Sequence, residues 1–119
     1  MNIKITFTNL DKSPAVEDYV SKKLSSLSKF LKGQNEVLVE VELAKTTSHH
    51  KSGDIYKAEA NITYMGKQFY VVAEKEDLYA AVDQMRDEVE RSIVSNRKKY
   101  ITVFRRGAGK IKDLIRKLY

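Results

Sequence analysis

Chemistry has few places to reside in this 119-residue chain. Its two histidines, His49 and His50, are adjacent in a polar stretch. Neighbouring residues of an extended segment point to opposite sides, so the pair makes a poor shared metal site. There is no cysteine, which excludes disulfides, thiolate nucleophiles and cysteine-based zinc sites. Glu40 and Glu42 lie on one face of a predicted strand with the spacing of an acid/base pair. Two carboxylates on one side of a strand are also the ordinary composition of a solvated sheet face. The Gly-Ala-Gly-Lys at 107–110 has the spacing neither of a dinucleotide fingerprint nor of a Walker loop. No nucleophile and base are spaced to cooperate. The expectation is a protein that is not an enzyme, with no metal, no cofactor and no small-molecule substrate.

The basic residues carry more information. The chain holds 22 lysines and arginines against 16 acids, a net charge of +6. From Arg97 to Tyr119 there are nine basic residues and one acid, while residues 1–96 carry a net −2. A near-neutral body with a strongly basic end points to a polyanionic partner. At 100° per residue, Lys22 and Lys29 project opposite the apolar stripe of a first predicted helix, and Lys23 flanks it. On a second predicted helix Arg91 and Lys98 fall on the outer face, with Arg97 and Lys99 to either side. The tail adds Arg105, Arg106, Lys110, Lys112, Arg116 and Lys117. Tyr100, Phe104 and Tyr119 are interleaved there, an arrangement suited to stacking on bases. No apolar run approaches the ~20 residues of a membrane span. The apolar face of the tail is short for lipid, so RNA ranks above an anionic membrane. The N-terminus lacks the charged head and long apolar run of a signal peptide, which makes the expected location cytoplasmic.

The elements that position these residues follow from hydrophobic period. Residues 2–8, 36–44, 55–65 and 68–73 alternate as half-buried strands. Ile3, Ile5 and Phe7, then Val37, Val39, Val41 and Leu43, then Tyr56, Ala58, Ala60, Ile62 and Tyr64, then Phe69 and Val71 share the inward faces. Ser13 and Pro14 read as an N-cap with proline at the first helical position. Val16, Val20, Leu24, Leu27 and Leu31 form the stripe of a helix of about 18 residues, with Gly33 beyond its end. Met65-Gly66-Lys67 reads as a tight hairpin. Asp77 caps a second helix whose stripe is Leu78, Val82, Met85, Val89 and Ile93, running to about Tyr100. Residues 110–118 have the pattern of a short amphipathic helix. The order β-α-β-β-β-α predicts an α+β fold. A right-handed crossover makes the first two strands parallel, hairpins join the rest, and both helices cover one face of a four-stranded mixed sheet. The division is a domain over 1–100 and a basic tail over 101–119.

The run Glu76-Asp77-Leu78-Tyr79-Ala80-Ala81-Val82-Asp83, followed by Asp87-Glu88-Val89-Glu90-Arg91-Ser92-Ile93, resembles the signature of the ribosome hibernation-promoting factors. This family is also called the sigma-54 modulation or ribosome-associated inhibitor family. The Ser-Pro-Ala-Val-Glu-Asp-Tyr-Val-Ser-Lys-Lys-Leu of the first helix and the Asn2-Ile3-x-Ile5-Thr6 opening are similar too. The resemblance spans residues 1 to about 100, and matches the short form of the family. It implies a non-enzymatic translation inhibitor with a fold like the double-stranded RNA-binding domain. Family members bind the small ribosomal subunit in the mRNA channel near the decoding region, occlude mRNA and tRNA, and silence ribosomes in stationary phase or stress. The implied partners are the small subunit with its rRNA and the whole ribosome, and no membrane.

The family's phosphate-binding positions match Lys23, Lys29, Arg91, Arg97 and Lys99 here. Together with the helical wheels and the tail, the expected rRNA-binding set is Lys22, Lys23, Lys29, Arg91, Arg97, Lys98, Lys99, Arg105 and Arg106. The chain departs from relatives at Ser26, Ser95 and Glu88, where lysine is common. Its tail is basic where familiar short members stop or turn acidic, and we expect the tail to compensate in part for the missing helix lysines. Two alternatives accompany this reading. One is a protein-binding regulator of the sigma-factor type, using the sheet face with Glu40, Glu42 and Glu59 or the tail's apolar stripe. The other is a general binder of double-stranded RNA.

Overall fold

The computed structural model describes residues 1–31, 36–46 and 53–105, the last ten of these (96–105) as backbone alone. The element order is β1 (Asn2–Thr8), α1 (Pro14–Ser25) continued by a 3₁₀ turn (Ser26–Phe30), β2 (Leu38–Thr46), β3 (Ile55–Tyr64), β4 (Lys67–Lys75) and α2 (Leu78–Arg105). The strands form one sheet in the order β1-β2-β3-β4. β1 and β2 are parallel, from Asn2 opposite Leu38 to Thr8 opposite Ala44. The pairs β2/β3 and β3/β4 are antiparallel. This is the expected α+β arrangement. Each helix returns antiparallel to the strand before it, so α1 and α2 run in the same direction.

Alternation fixes which face is covered. Val37, Val39, Val41 and Leu43, with Ala58, Ala60, Ile62, Tyr64, Val71 and Ala73, are buried. Ile3, Ile5, Phe7 and Phe69 pack against them at the edges. Val16, Val20, Leu24, Leu27 and Leu31 from the first helix meet Ala81, Val82, Met85, Val89 and Ile93 from α2 in the same core. Among the described residues no polar or charged residue is buried.

Local signals set the ends of the elements. The Ser13 hydroxyl accepts from the Val16 amide at 3.3 Å, and Pro14 opens α1. The Asp77 carboxylate accepts from the Ala80 amide at 3.1 Å and caps α2. Both caps stand where the sequence placed them. The first helix differs from expectation in its second half. The α-helix is 12 residues long and tightens at Ser26 into a 3₁₀ turn. Ser26 is the cause on its own side: its hydroxyl donates to the Lys23 carbonyl at 2.5 Å. A serine that bonds back to the preceding turn competes with the regular ladder. The tighter turn still delivers Leu27 and Leu31 to the core. β2 runs to Thr46, two residues past its expected end. There the Thr46 hydroxyl donates to the Ile55 carbonyl at 3.1 Å, and Lys45 pairs with Asp54 at 3.3 Å. The backbone of α2 stays helical to Arg105, five residues beyond the expected end near Tyr100. Gly33, His49, His50 and the segment 110–118 lie outside the described residues.

The β3–β4 hairpin turns through Met65 (φ 53°) and Gly66 (φ 72°). Positive φ at both central positions is the signature of a type I′ turn, whose twist matches the flanking strands. Gly66→Ala places a Cβ in that conformation at a cost of about 1–2 kcal/mol. The melting temperature should fall by about 4–16 °C at that cost. Calorimetry of the variant checks this.

Candidate nucleic-acid interface

Of the cations that the wheels selected, Lys22, Lys29 and Arg91 stand exposed on the first helix and α2. On α1, Lys22 is 77% exposed and its ammonium lies 3.1 Å from Asp18 one turn earlier. Lys29, in the 3₁₀ turn, is exposed and stands 5.3 Å from the centroid of the Phe30 ring. On α2, Arg91 is 70% exposed and pairs with Glu88 at 2.7 Å. Glu88, one of the departures from the family pattern, thus partly offsets a cation on its own helix. Positions 97, 98, 99 and 105 fall on the helical extension of α2 beyond Ile93, the last core residue among those whose side chains are described. That extension is about 18 Å long at 1.5 Å per residue. The side chains of Arg97, Lys98, Lys99 and Arg105, and all of Arg106, lie outside the described residues.

Lys23 is placed differently from its neighbours. It points across to α2, where its ammonium is 3.3 Å from Oδ1 of Asp83, and its side chain is 40% exposed. The same oxygen accepts from the Tyr19 hydroxyl at 2.6 Å. The Lys23 ammonium also stands 5.4 Å from the centroid of the Tyr19 ring. Tyr79, one turn before Asp83, meets Tyr19 edge-on with centroids 4.9 Å apart and planes at 85°. Further along, Arg86 donates through Nε and Nη2 to the Ser26 hydroxyl at 3.3 and 3.2 Å. Its Nη1 bonds Glu90 at 2.9 Å and Asp87 at 3.3 Å. The residues 19, 23 and 26 face 79, 83 and 86, with matching steps of four and three. Two parallel helices are zipped by a polar row beside their apolar one.

The sequence alone did not single out Arg86, which is only 17% exposed. Its spacing to Glu90 was a visible signal, but its partner Ser26 lies on the other helix. The tertiary contact gives Ser26 a role of its own, as the acceptor for two Arg86 nitrogens. The opposite face of the sheet has its own cluster. Lys57 pairs with Glu59 at 2.8 Å. The hydrogen bond from Lys57 holds the Glu59 carboxyl below its ordinary value, and Tyr70 assists. Glu40 and Glu42 remain on that face with no bond between them. Among the described residues no three metal-ligating side chains converge.

Residues 3–101 match the family model described as sigma 54 modulation protein / S30EA ribosomal protein. The ribosome hibernation promoting factor of Klebsiella oxytoca is 30% identical over 99 residues, 83% of this chain and 96% of the relative. The protein of the same name from Azotobacter vinelandii is 30% identical over 101 residues, 85% of this chain and 87% of the relative. Among solved structures, the N-terminal domain of Thermus thermophilus Protein Y superposes with a TM-score of 0.65 at 32% identity. That match covers 78% of this chain and 96% of the other. A ribosomal subunit interface protein from Coxiella burnetii shares the fold, with a TM-score of 0.68 at 22% identity over 83% of this chain and all of the other.

The zipper has a pH signature. The bond to Asp83 raises the Tyr19 hydroxyl above its ordinary value of 10.0, with burial and the carboxylate charge adding to it. The same carboxylate raises the Lys23 ammonium above 10.5. Folded values above the unfolded ones give stability that is complete below the ordinary values and is lost as pH rises through the raised ones. The melting temperature of the wild type should therefore exceed that of Tyr19→Phe by a constant margin from pH 7 to 9. The margin should narrow above about pH 10. Thermal melts of both proteins across that range check this.

Proposed function

Because the chain belongs to the sigma 54 modulation / S30EA ribosomal protein family, we propose that it is a ribosome hibernation factor. In this reading it binds the small ribosomal subunit and inhibits translation. It acts by binding and not by catalysis, as the non-enzymatic character of the family implies. The body occupies the mRNA channel near the decoding region, and mRNA and tRNA are excluded because the volume is filled. Lys22, Lys23, Lys29 and Arg91 supply phosphate contacts from the two helices. Arg97, Lys98, Lys99, Arg105 and Arg106 add further phosphate contacts in this reading. The working place is the cytoplasm, where the ribosomes are.

The observation that supports this reading best is the pair of parallel helices. They hold exposed cations at fixed separation on the side away from the sheet. A rigid cationic surface of this kind suits folded RNA, which presents phosphates and 2′-hydroxyls more readily than base edges. Each charged contact releases counterions, so affinity falls with salt. With five to eight contacts the loss between 50 and 200 mM salt is about two to five orders of magnitude.

Three measurements test the proposal. The protein should cosediment with empty small subunits or whole ribosomes in a low-salt sucrose gradient and should inhibit cell-free translation. Free migration beside empty ribosomes excludes it, and a pull-down of protein partners that survives nuclease favours a protein-binding regulator instead. Lys29→Glu combined with Arg91→Glu should lower the salt slope by about two while the melting temperature stays near that of the wild type. Deleting residues 106–119 should weaken ribosome binding and leave the circular dichroism of the body unchanged. Unaltered affinity would show that this segment is no RNA arm.

A further inference from the structure

Asp83 is an anomaly on the proposed surface. It is an acid between two helices that are to meet a polyanion, and its carboxylate is 47% exposed. Long-range electrostatics alone make it a defect, since each acid on such a face repels phosphate. The geometry assigns it another task. Its Oδ1 gathers the Tyr19 hydroxyl at 2.6 Å and the Lys23 ammonium at 3.3 Å, both from α1. Tyr79 buttresses Tyr19 from the same face of α2. A lysine on a free surface samples many rotamers and loses that freedom on binding. Lys23 is already held, by a carboxylate on one side and a ring on the other, while its side chain stays 40% exposed.

We propose that Asp83 is a positioning residue for phosphate recognition: it orders Lys23 and fixes α1 against α2, so that the cations of both helices form one pre-set array. This rests on the ribosome-binding reading above and names the residue that makes its surface rigid. Asp18 serves as the contrast. It also pairs with a lysine of α1, at 3.1 Å, but within one helix and with no contact to α2. Removing Asp18 only removes a negative charge, so binding should tighten. Removing Asp83 removes a negative charge as well, yet binding should weaken.

The test is a set of dissociation constants for the full chain and purified small subunits at low salt. The proteins are wild type, Asp18→Asn, Asp83→Ala, Asp83→Asn, Lys23→Ala and the Lys23→Ala/Asp83→Ala double variant. Asp83→Ala should weaken binding by about five- to twentyfold, inside the range of coupled neighbours. Its salt slope should drop by about one, as Lys23 ceases to count as a contact. In the Lys23→Ala background the same substitution should weaken binding by clearly less, because only the tie to Tyr19 is then left to lose. Asp83→Asn keeps the shape and the tyrosine's acceptor, and should lose part of the affinity with the fold intact. It decides the matter if Asp83→Ala does not fold. A folded Asp83 variant that binds as tightly as wild type or more tightly overturns the proposal and leaves the ribosome-binding reading standing. So does equal weakening in both backgrounds. A wild type that does not bind small subunits overturns both.

Discussion

One carboxylate oxygen sets the relation between the two helices. A sheet with a single apolar face requires a cover, and hydrophobic burial supplies the energy for it. Burial is non-directional, however, and does not by itself fix the rotation or slide of one helix against another. The contact of Tyr19 and Lys23 with Oδ1 of Asp83 is directional. So is the grip of Arg86 on Ser26 two turns along α1. Both lie beside the row formed by Leu24, Val82 and Met85, so packing and polar pairing specify the same register. Parallel helices make this possible, because residues at matching steps then stay opposite each other over two turns.

Much of this was legible beforehand, and the boundary of what was legible has a physical cause. Alternation and the 3.6 period depend on one chain segment at a time, so the strands, both stripes and both caps stood out. The parallel β1/β2 pair followed from a chirality rule that has almost no exceptions. What escaped depends on two segments at once. Ser26 looks like a poor substitute for a lysine until Arg86 is seen to bond it. Lys23 looks like a free surface cation until Asp83 is seen 3.3 Å away. The 3₁₀ turn after Ser25 escaped for a related reason, since Leu27 and Leu31 keep the right face in either helix type.

The motif that carried the family resemblance can now be taken apart by function. Asp77 caps α2 through the Ala80 amide. Leu78 and Val82 pack on the core, and Ala81 is small enough to let the helix lie close over the sheet. Tyr79 and Asp83 face α1. Every position except the solvent-facing ones is thus committed to placing α2. Under the proposed function this constraint has a use: a surface that is to recognise the shape of folded RNA needs its scaffold fixed.

The acids of the helix face then fall into two kinds. Asp18 and Glu88 pair within their own helices with cations, Lys22 and Arg91, that are themselves largely exposed. Exposed pairs of this type contribute little to stability, so a phosphate can replace the carboxylate at small cost. Asp83 shares one oxygen between two donors from the opposite helix, and its loss would free both. Charge counting treats the three acids alike and would remove all of them to strengthen binding to a polyanion. Their partners separate them: the first two set how much cationic charge the surface shows at rest, and the third sets where that charge stands.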